Sequence, residues 1–548
     1  MVPGTNGSGD GFESAVDGYL ADMFADAPAL ATFHGWDGVD DASPDLSAAA
    51  IAEREARDDR WLDRFAAFGD DELDVDQRID RDLVVAVLRG RRALRDWEGW
   101  RRAPDHYLSP ALMGVFSLFL RRDDVGAALV AAADSRLRAV PALLDAGVTN
   151  LDPALVPPLF IERALGQCRA GVTYARDLVP AEVDGDAGRA DLAEAGAVAA
   201  EAFARFAAHL EEMLPRARGD WAIGAARYST VLRDAELLAD DADGLHERGR
   251  AAWAALDGEM ATLARTIDPG LDAGDGWRPV VEACGREHPA TPDEMRRAYE
   301  AETARARAFL AERGLVTFAE GERCEVVPSP PFQRPVLAVA SYHQPPAFKP
   351  SLVGRFNVPY PPAGAPPDEV DKRLADNGHH AIPTITTHEA YPGHHWHLTT
   401  MSGARALRRV HRSAYFTEGW GLYAERVMRE QGYFADARAE LMHLDFRLFR
   451  AARIVVDTAL HAGEMTVDQA VAHLRERAGL TEPVARAEVG RYCSWPTQAA
   501  AYLTGCLEIE RIRDRWFAED RGDLRSFHDA IAATGGLPIA LAERATLP

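Results

Sequence analysis

Across the first three hundred or so residues, apolar positions recur every third or fourth place within charged, alanine-rich runs. AAAIAEREARDDRWLDRFAAF and DLAEAGAVAAEAFARFAAHLEEML are the clearest cases, and that spacing gathers the apolar side chains into one stripe per helix. Proline and glycine punctuate the pattern, as in LDPALVPPLF and TIDPGLDAGDGW, and mark turns between helices rather than long linkers. The texture changes between about 322 and 362, where ERCEVVPSPPF, PVLAVASYH and GRFNVPYPP are short β-rich runs separated by prolines, which predicts a small sheet. Helical periodicity returns near 372 and runs to about 545, with TVDQAVAHLRERAGL an amphipathic helix opened by Thr466. The pattern predicts a mostly α chain: a helical subdomain over residues 1–320, then a catalytic subdomain over 321–548 that holds the sheet beside the helices bearing the chemistry.

With 548 residues, 47% of them hydrophobic and 27% charged, the chain can bury a large core. The opening MVPGTNGSGDGFES has neither a basic nor an apolar leader region, and no later run approaches the ~18 uninterrupted apolar residues of a membrane span. A soluble, unexported protein is expected, with no membrane partner. Five cysteines, Cys168, Cys284, Cys324, Cys493 and Cys506, form no CxxC pair, and their odd number suits a reducing cytoplasm. The net charge is −25, and among the 61 basic residues only Lys349 and Lys372 are lysines. That balance argues against nucleic acid as a partner and reads as a solvated acidic surface. Neither a GxGxxG nor a GxxxxGK[ST] loop is present, nor a GxSxG elbow, so nucleotide binding and serine hydrolysis have no foothold.

The chemistry concentrates in ITTHEAYPGHHWHLTT, residues 385–400, with four histidines and one glutamate. In the HExxH pattern of zinc hydrolases two histidines four apart share a helix face and the glutamate is the base; here Pro392 stands where the second histidine would be. On a regular helix His394 lies about 240° round the axis from His388, and His395 lies nearly aligned but ~10.5 Å further on. Neither could share one ion with His388, because Zn–N bonds are only ~2.0–2.1 Å. A helix that bulges at Pro392 and Gly393 would absorb two residues and bring His394 into the second ligand position. His395 and His397 read as packing or supporting groups. Downstream, SAYFTEGWGLYAERV offers Glu418 and Glu425, seven apart on one helix face among aromatic and small residues, where an unpaired carboxylate is costly.

Glu418 is taken as the third ligand because EGW resembles the EGF or EGY segment that supplies the ligand glutamate in aminopeptidase-type zinc enzymes; Glu425 is then left to orient a histidine. HEAYPGHH, EGWGLYAE, RIVVDTALHAGEMT and RYCSWPTQAAAYLTG further resemble, in that order, the motifs of one domain-of-unknown-function family, number eight hundred and eighty-five in its series. The similarity spans nearly the whole chain. It implies a single, large, mostly helical fold similar to the helical zincin metallopeptidases, with the metal in a deep groove. Two positions depart from the family pattern: glutamine is usual where His397 stands, and alanine where Gly421 stands.

The expected reaction is hydrolysis with a bound zinc ion: His388, His394 and Glu418 hold it, and Glu389 takes a proton from water and passes it to the leaving group. Tyr502 is the first choice for stabilising the oxyanion, with Tyr492 as a second tyrosine nearby in sequence. Asp457 and His461, four apart on one helix, could place a histidine near the reacting carbonyl with the aspartate holding its tautomer. Arg453 and Arg491 could grip a substrate carboxylate. LAVASYHQ, residues 337–344, reads as a core strand, with an edge for an extended peptide as the alternative, and PPAFKPSLVGRFNVPYPP as a groove wall. The expected substrate is a short peptide. The alternatives are a zinc hydrolase of other small amides or esters and a non-catalytic metal-binding protein.

Overall fold

The computed structural model describes residues 7–120, 126–272, 274–331, 333–334 and 339–547. The chain forms two compact units, Met1–Trp221 with Pro346–Pro350, and Ala222–Pro345 with Ser351–Pro548.

The first unit is helical throughout its described residues. Its two long helices, Ala127–Asn150 and Asp186–Met213, pack along each other, and shorter helices begin where the sequence offers caps: Ser47 accepts from the Ala50 N–H, and Asp74 and Gln77 cap each other's backbone reciprocally. A buried cation is fully committed to structure here. The Arg136 guanidinium donates to the carbonyls of Val39 and Ala42 and to the Thr32 hydroxyl. The segment Pro346–Pro350 belongs to this unit, with the Phe348 ring packed against Trp36 at 5.1 Å.

The second unit carries α1 (Ala242–Ile267), α2 (Pro292–Arg313), β1 (Arg323–Pro328), β2 (Ser341–His343), β3 (Val353–Val358), α3 (Ile382–Glu389), α4 (His394–Thr400), α5 (Ala414–Glu430), α6 (Ala437–Ala462), α7 (Glu482–Ser494) and α8 (Ala501–Ala518), with shorter helices between them. The sheet has the order β1-β3-β2, with β1 parallel and β2 antiparallel to β3. The fold is thus mostly helical with one small three-stranded sheet. The Thr466 cap is present, with its hydroxyl accepting from the Gln469 N–H at the start of Val467–Ala478. Among the described residues no helix is long and apolar enough to cross a membrane.

Two expectations need correction. The chain divides near residue 221 and not near 320, because α1 lies along α6 and α2 packs on α3 and β1; apolar stripes show that a helix packs, not which partner receives it. LAVASYHQ is not a core strand. Residues 337 and 338 lie outside the described residues, and 341–343 form the half-buried edge strand β2.

α5 and α8 meet backbone to backbone. A Cβ on Gly505 would lie 1.7 Å from the Tyr415 carbonyl oxygen, and one on Gly419 would lie 2.6 Å from the Gly505 Cα. Only glycine at the crossing allows this approach, and it brings Glu418, next to Gly419, and Tyr502, three residues before Gly505, toward one cavity.

Candidate metal centre

α3 ends at Glu389 and α4 starts at His394, so the helix breaks where a bulge was expected. Pro392 has no N–H to continue the ladder, and the chain turns through Ala390–Gly393 before Trp396 N–H and His397 N–H pick up the Ala390 and Gly393 carbonyls. The turn folds tightly back on α3: a Cβ on Gly393 would sit 1.9 Å from the His388 carbonyl oxygen. Trp420 of α5 pins it by donating its indole N–H to the Pro392 carbonyl at 2.9 Å. The result places the rings of His388 and His394 4.7 Å apart and nearly perpendicular.

Glu418 completes the group. Its Oε2 lies 3.5 Å from His388 Nε2 and 3.5 Å from His394 Nε2. Ligand atoms arranged tetrahedrally at the usual zinc bond lengths stand about 3.3 Å apart; the carboxylate oxygen keeps about that distance from each imidazole nitrogen, the three ligand atoms lie within 4.8 Å of one another, and the donor types are those zinc prefers. Burial by itself would raise the Glu418 carboxyl; the two imidazoles override it and hold the group well below the usual carboxylate range. Glu425, 1% exposed, stands on the far side of the same ring, with Oε1 2.8 Å from His388 Nδ1. Burial lowers the pKa of His388, and Glu418 and Glu425 outweigh it to raise the imidazole to about 10. Glu425 in turn meets His443, whose Nδ1 is 3.4 Å away.

His388, His394, Glu418 and Glu425 line a cavity of about 430 Å³ together with Glu389, Arg450 and Tyr502. Burial pushes the Glu389 carboxyl up, opposed by His394 and His388 and reinforced by Glu418, which suits a group that must both take and return a proton. The Tyr502 ring lies nearly parallel to His388, 6.5 Å away. Burial raises its hydroxyl pKa, leaving it a proton donor.

The other expected site residues separate into two groups. Arg453 reaches the cavity wall, but its Nη2 pairs with Glu488 at 2.9 Å and its Nε donates to the Tyr492 hydroxyl at 3.1 Å. Arg491, Tyr492, Asp457 and His461 are not among the cavity-lining residues. Arg491 and the Tyr492 hydroxyl are both bonded to Glu488. Asp457 accepts from the Tyr228 hydroxyl at 2.6 Å and the Thr497 N–H at 3.1 Å, whereas His461 Nε2 is 3.9 Å from its carboxylate, too far for a hydrogen bond, and faces the Tyr492 carbonyl instead. The expected dyad is therefore absent: one helix turn brings the pair near, but tertiary partners claim both side chains.

His395 is turned away from the ligands, with Nε2 2.6 Å from Glu322 and Nδ1 2.8 Å from the Tyr342 hydroxyl. His397 Nε2 faces the Gly535 carbonyl at 3.3 Å, and burial drives its pKa down to about 3. The groove wall is formed by Val339–Tyr342 rather than by the proline-rich stretch after it. Sequence reasoning missed Asn377 and Arg450 as lining residues; the one signal for Arg450 is its place on α6, one turn before Arg453, which opens the family-like segment RIVVDTALHAGEMT.

A chain from Shewanella oneidensis, described as a candidate lipoprotein of unknown function, shares the fold with a TM-score of 0.81 at 19% identity, covering 98% of this chain and 100% of that one. A second candidate lipoprotein, from Colwellia psychrerythraea, has a TM-score of 0.83 at 21% identity and covers 98% of each chain. At such identities the likeness is one of fold. No protein of curated function matches. The model of the bacterial proteins of unknown function called DUF885 matches residues 28–545, and the chain belongs to that family.

Proposed function

We propose that the protein is a zinc-dependent hydrolase of short peptides, with a zincin-like site held by His388, His394 and Glu418. The observation that carries this reading is the clustering of the three ligand atoms beside the half-buried Glu389, whose carboxyl burial pushes up, in one cavity. A zinc ion there would polarise a substrate carbonyl and acidify a water. Glu425 holds the Nδ1 side of His388, which would leave Nε2 to hold the ion. Glu389 takes the proton of the attacking water and returns it to the leaving amine, and the Tyr502 hydroxyl donates to the developing oxyanion. The same groups serve other small amides and esters, so substrate profiling separates those readings.

The five cysteines, free of disulfides, support a cytoplasmic location; the lipoprotein description of the two structural relatives argues the other way, and recovery of the native chain in membranes would sink this placement.

The test is elemental analysis of the purified protein with a peptide-library cleavage assay on the same samples. About one zinc per chain, its loss in His388→Ala, and its retention in Glu389→Gln with a rate lower by about 10²- to 10⁴-fold are expected. Zinc without peptide cleavage moves the reading to other amides and esters. Undiminished zinc in His388→Ala removes the site.

A further inference from the structure

The cavity wall contains two arginines of α6 whose circumstances differ. Arg453 is paired with Glu488, bonded to Tyr492, and stacked on Phe449 at 4.2 Å. Arg450, half-buried, has no carboxylate within ion-pair distance among the described residues. Its Nη1 donates to the Phe446 carbonyl at 3.1 Å, and its buried Nε has no hydrogen-bond partner. A guanidinium has five donors in a planar fork matched to a carboxylate; Arg450 lies over the Phe446 ring at 5.0 Å, and a cavity wall is an expensive place to leave most of such a fork without an acceptor. Burial lowers the pKa of Arg450 and the neighbouring Arg453 lowers it further, while Glu425 and Glu418 partly offset them. Those two carboxylates are already committed to His388 and His394, so Arg450 still lacks a contact anion. Arg450 and Glu389 line the same cavity, so one small molecule bound there meets both. A cavity of about 430 Å³ lies toward the small end of ligand sites.

We infer that Arg450 is the subsite for a substrate's free carboxylate, so that the cavity takes short peptides and related N-acyl compounds by their carboxyl end. This rests on the reading of the site as a hydrolase, but its test does not depend on turnover. Arg450 would bind the carboxylate through its two outward N–H groups while the carbonyl of the bond to be cut faces Glu389 and Tyr502. Substrates with the carboxyl end amidated would lose that contact and leave the guanidinium buried without an anion. Arg453, the other arginine of the cavity wall, has its donors taken up by Glu488 and the Tyr492 hydroxyl, which leaves Arg450 as the lining arginine without an ion-pair partner among the described residues.

The experiment is calorimetric titration of zinc-loaded Glu389→Gln protein, which binds without cutting, with N-acetyl-alanyl-alanine and with its carboxyl-terminal amide. The acid should bind about 10- to 100-fold more tightly than the amide. Adding Arg450→Gln should abolish that difference, and Arg450→Lys should keep part of it; unfolding curves establish that each variant is folded. Equal binding of acid and amide overturns the inference, as does an acid that fails to bind. A preference for the acid that survives Arg450→Gln also overturns it, because the carboxylate is then held by the zinc or by Arg453. If the preference depends on Arg450 and wild type nevertheless cuts no such compound, the subsite stands and the hydrolase reading falls.

Discussion

His388 is gripped on both nitrogens by one helix: Glu418 approaches Nε2 and Glu425 bonds Nδ1, two turns apart on α5. The seven-residue spacing of these glutamates was legible in the sequence, because side chains two turns apart share a face. What it could not show is that a single imidazole lies along that face. Gly421 is the reason the ring fits. A Cβ there would come within 2.5 Å of His388 Cε1 and 2.7 Å of Nδ1, so an alanine would displace the ring as it sits here. Gly421→Ala should lower zinc affinity by about tenfold or more, since disturbing a ligand's support typically costs that much; a competitive chelator titration measures it, and unchanged affinity would mean that the ring moves freely. His395 and His397, equally histidine in sequence, differ from His388 and His394 only by what faces them: Glu322 and Tyr342 for one, a backbone carbonyl for the other.

At the scale of elements, the interruption between α3 and α4 and the crossing of α5 with α8 set the geometry. Pro392 announced that the helix could not continue regularly, but a bulge and a break satisfy the same missing N–H, and the indole of Trp420, distant in sequence, holds the turn that was chosen. The α5–α8 crossing was less visible still. Glycine in EGWG and YLTG could serve many ends; that the two face each other is a tertiary fact. Gly505→Ala should therefore reduce stability by about 3 kcal/mol, as overpacking of a tight contact does, and should lower the rate at saturating substrate by moving Tyr502 away from the site. Denaturant unfolding together with steady-state kinetics decides this. A variant as stable as wild type would show that the crossing tolerates a methyl.

For the molecule as a whole, buried titratable groups tie stability to pH. Burial raises the Asp457 carboxyl to about 7, against the hydrogen bond from Tyr228, while the unfolded chain titrates near the ordinary value of about 3.9. Between those values the folded state binds more protons than the unfolded one, so this group's contribution falls as pH rises through the window and the penalty is complete above about 7. Asp457→Asn removes the titration. Relative to wild type, its unfolding free energy should be higher at pH 8 than at pH 4 by about 2–4 kcal/mol, whatever constant cost the amide adds. Equal differences at both pH values would show that Asp457 is ionised throughout.

The sequence by itself determined the helical character, the place of the small sheet and the Thr466 cap, and it singled out His388, Glu389, His394, Glu418 and Glu425, which meet in one cavity, because periodicity, proline, glycine and side-chain chemistry are local properties. Tertiary structure alone decided which of many arginines faces the cavity without an anion, that Asp457 and His461 serve other partners, that Pro346–Pro350 joins the first unit, and that the units divide near residue 221. Each of these depends on which surfaces meet, and an apolar stripe or a charged side chain carries no record of its distant neighbour.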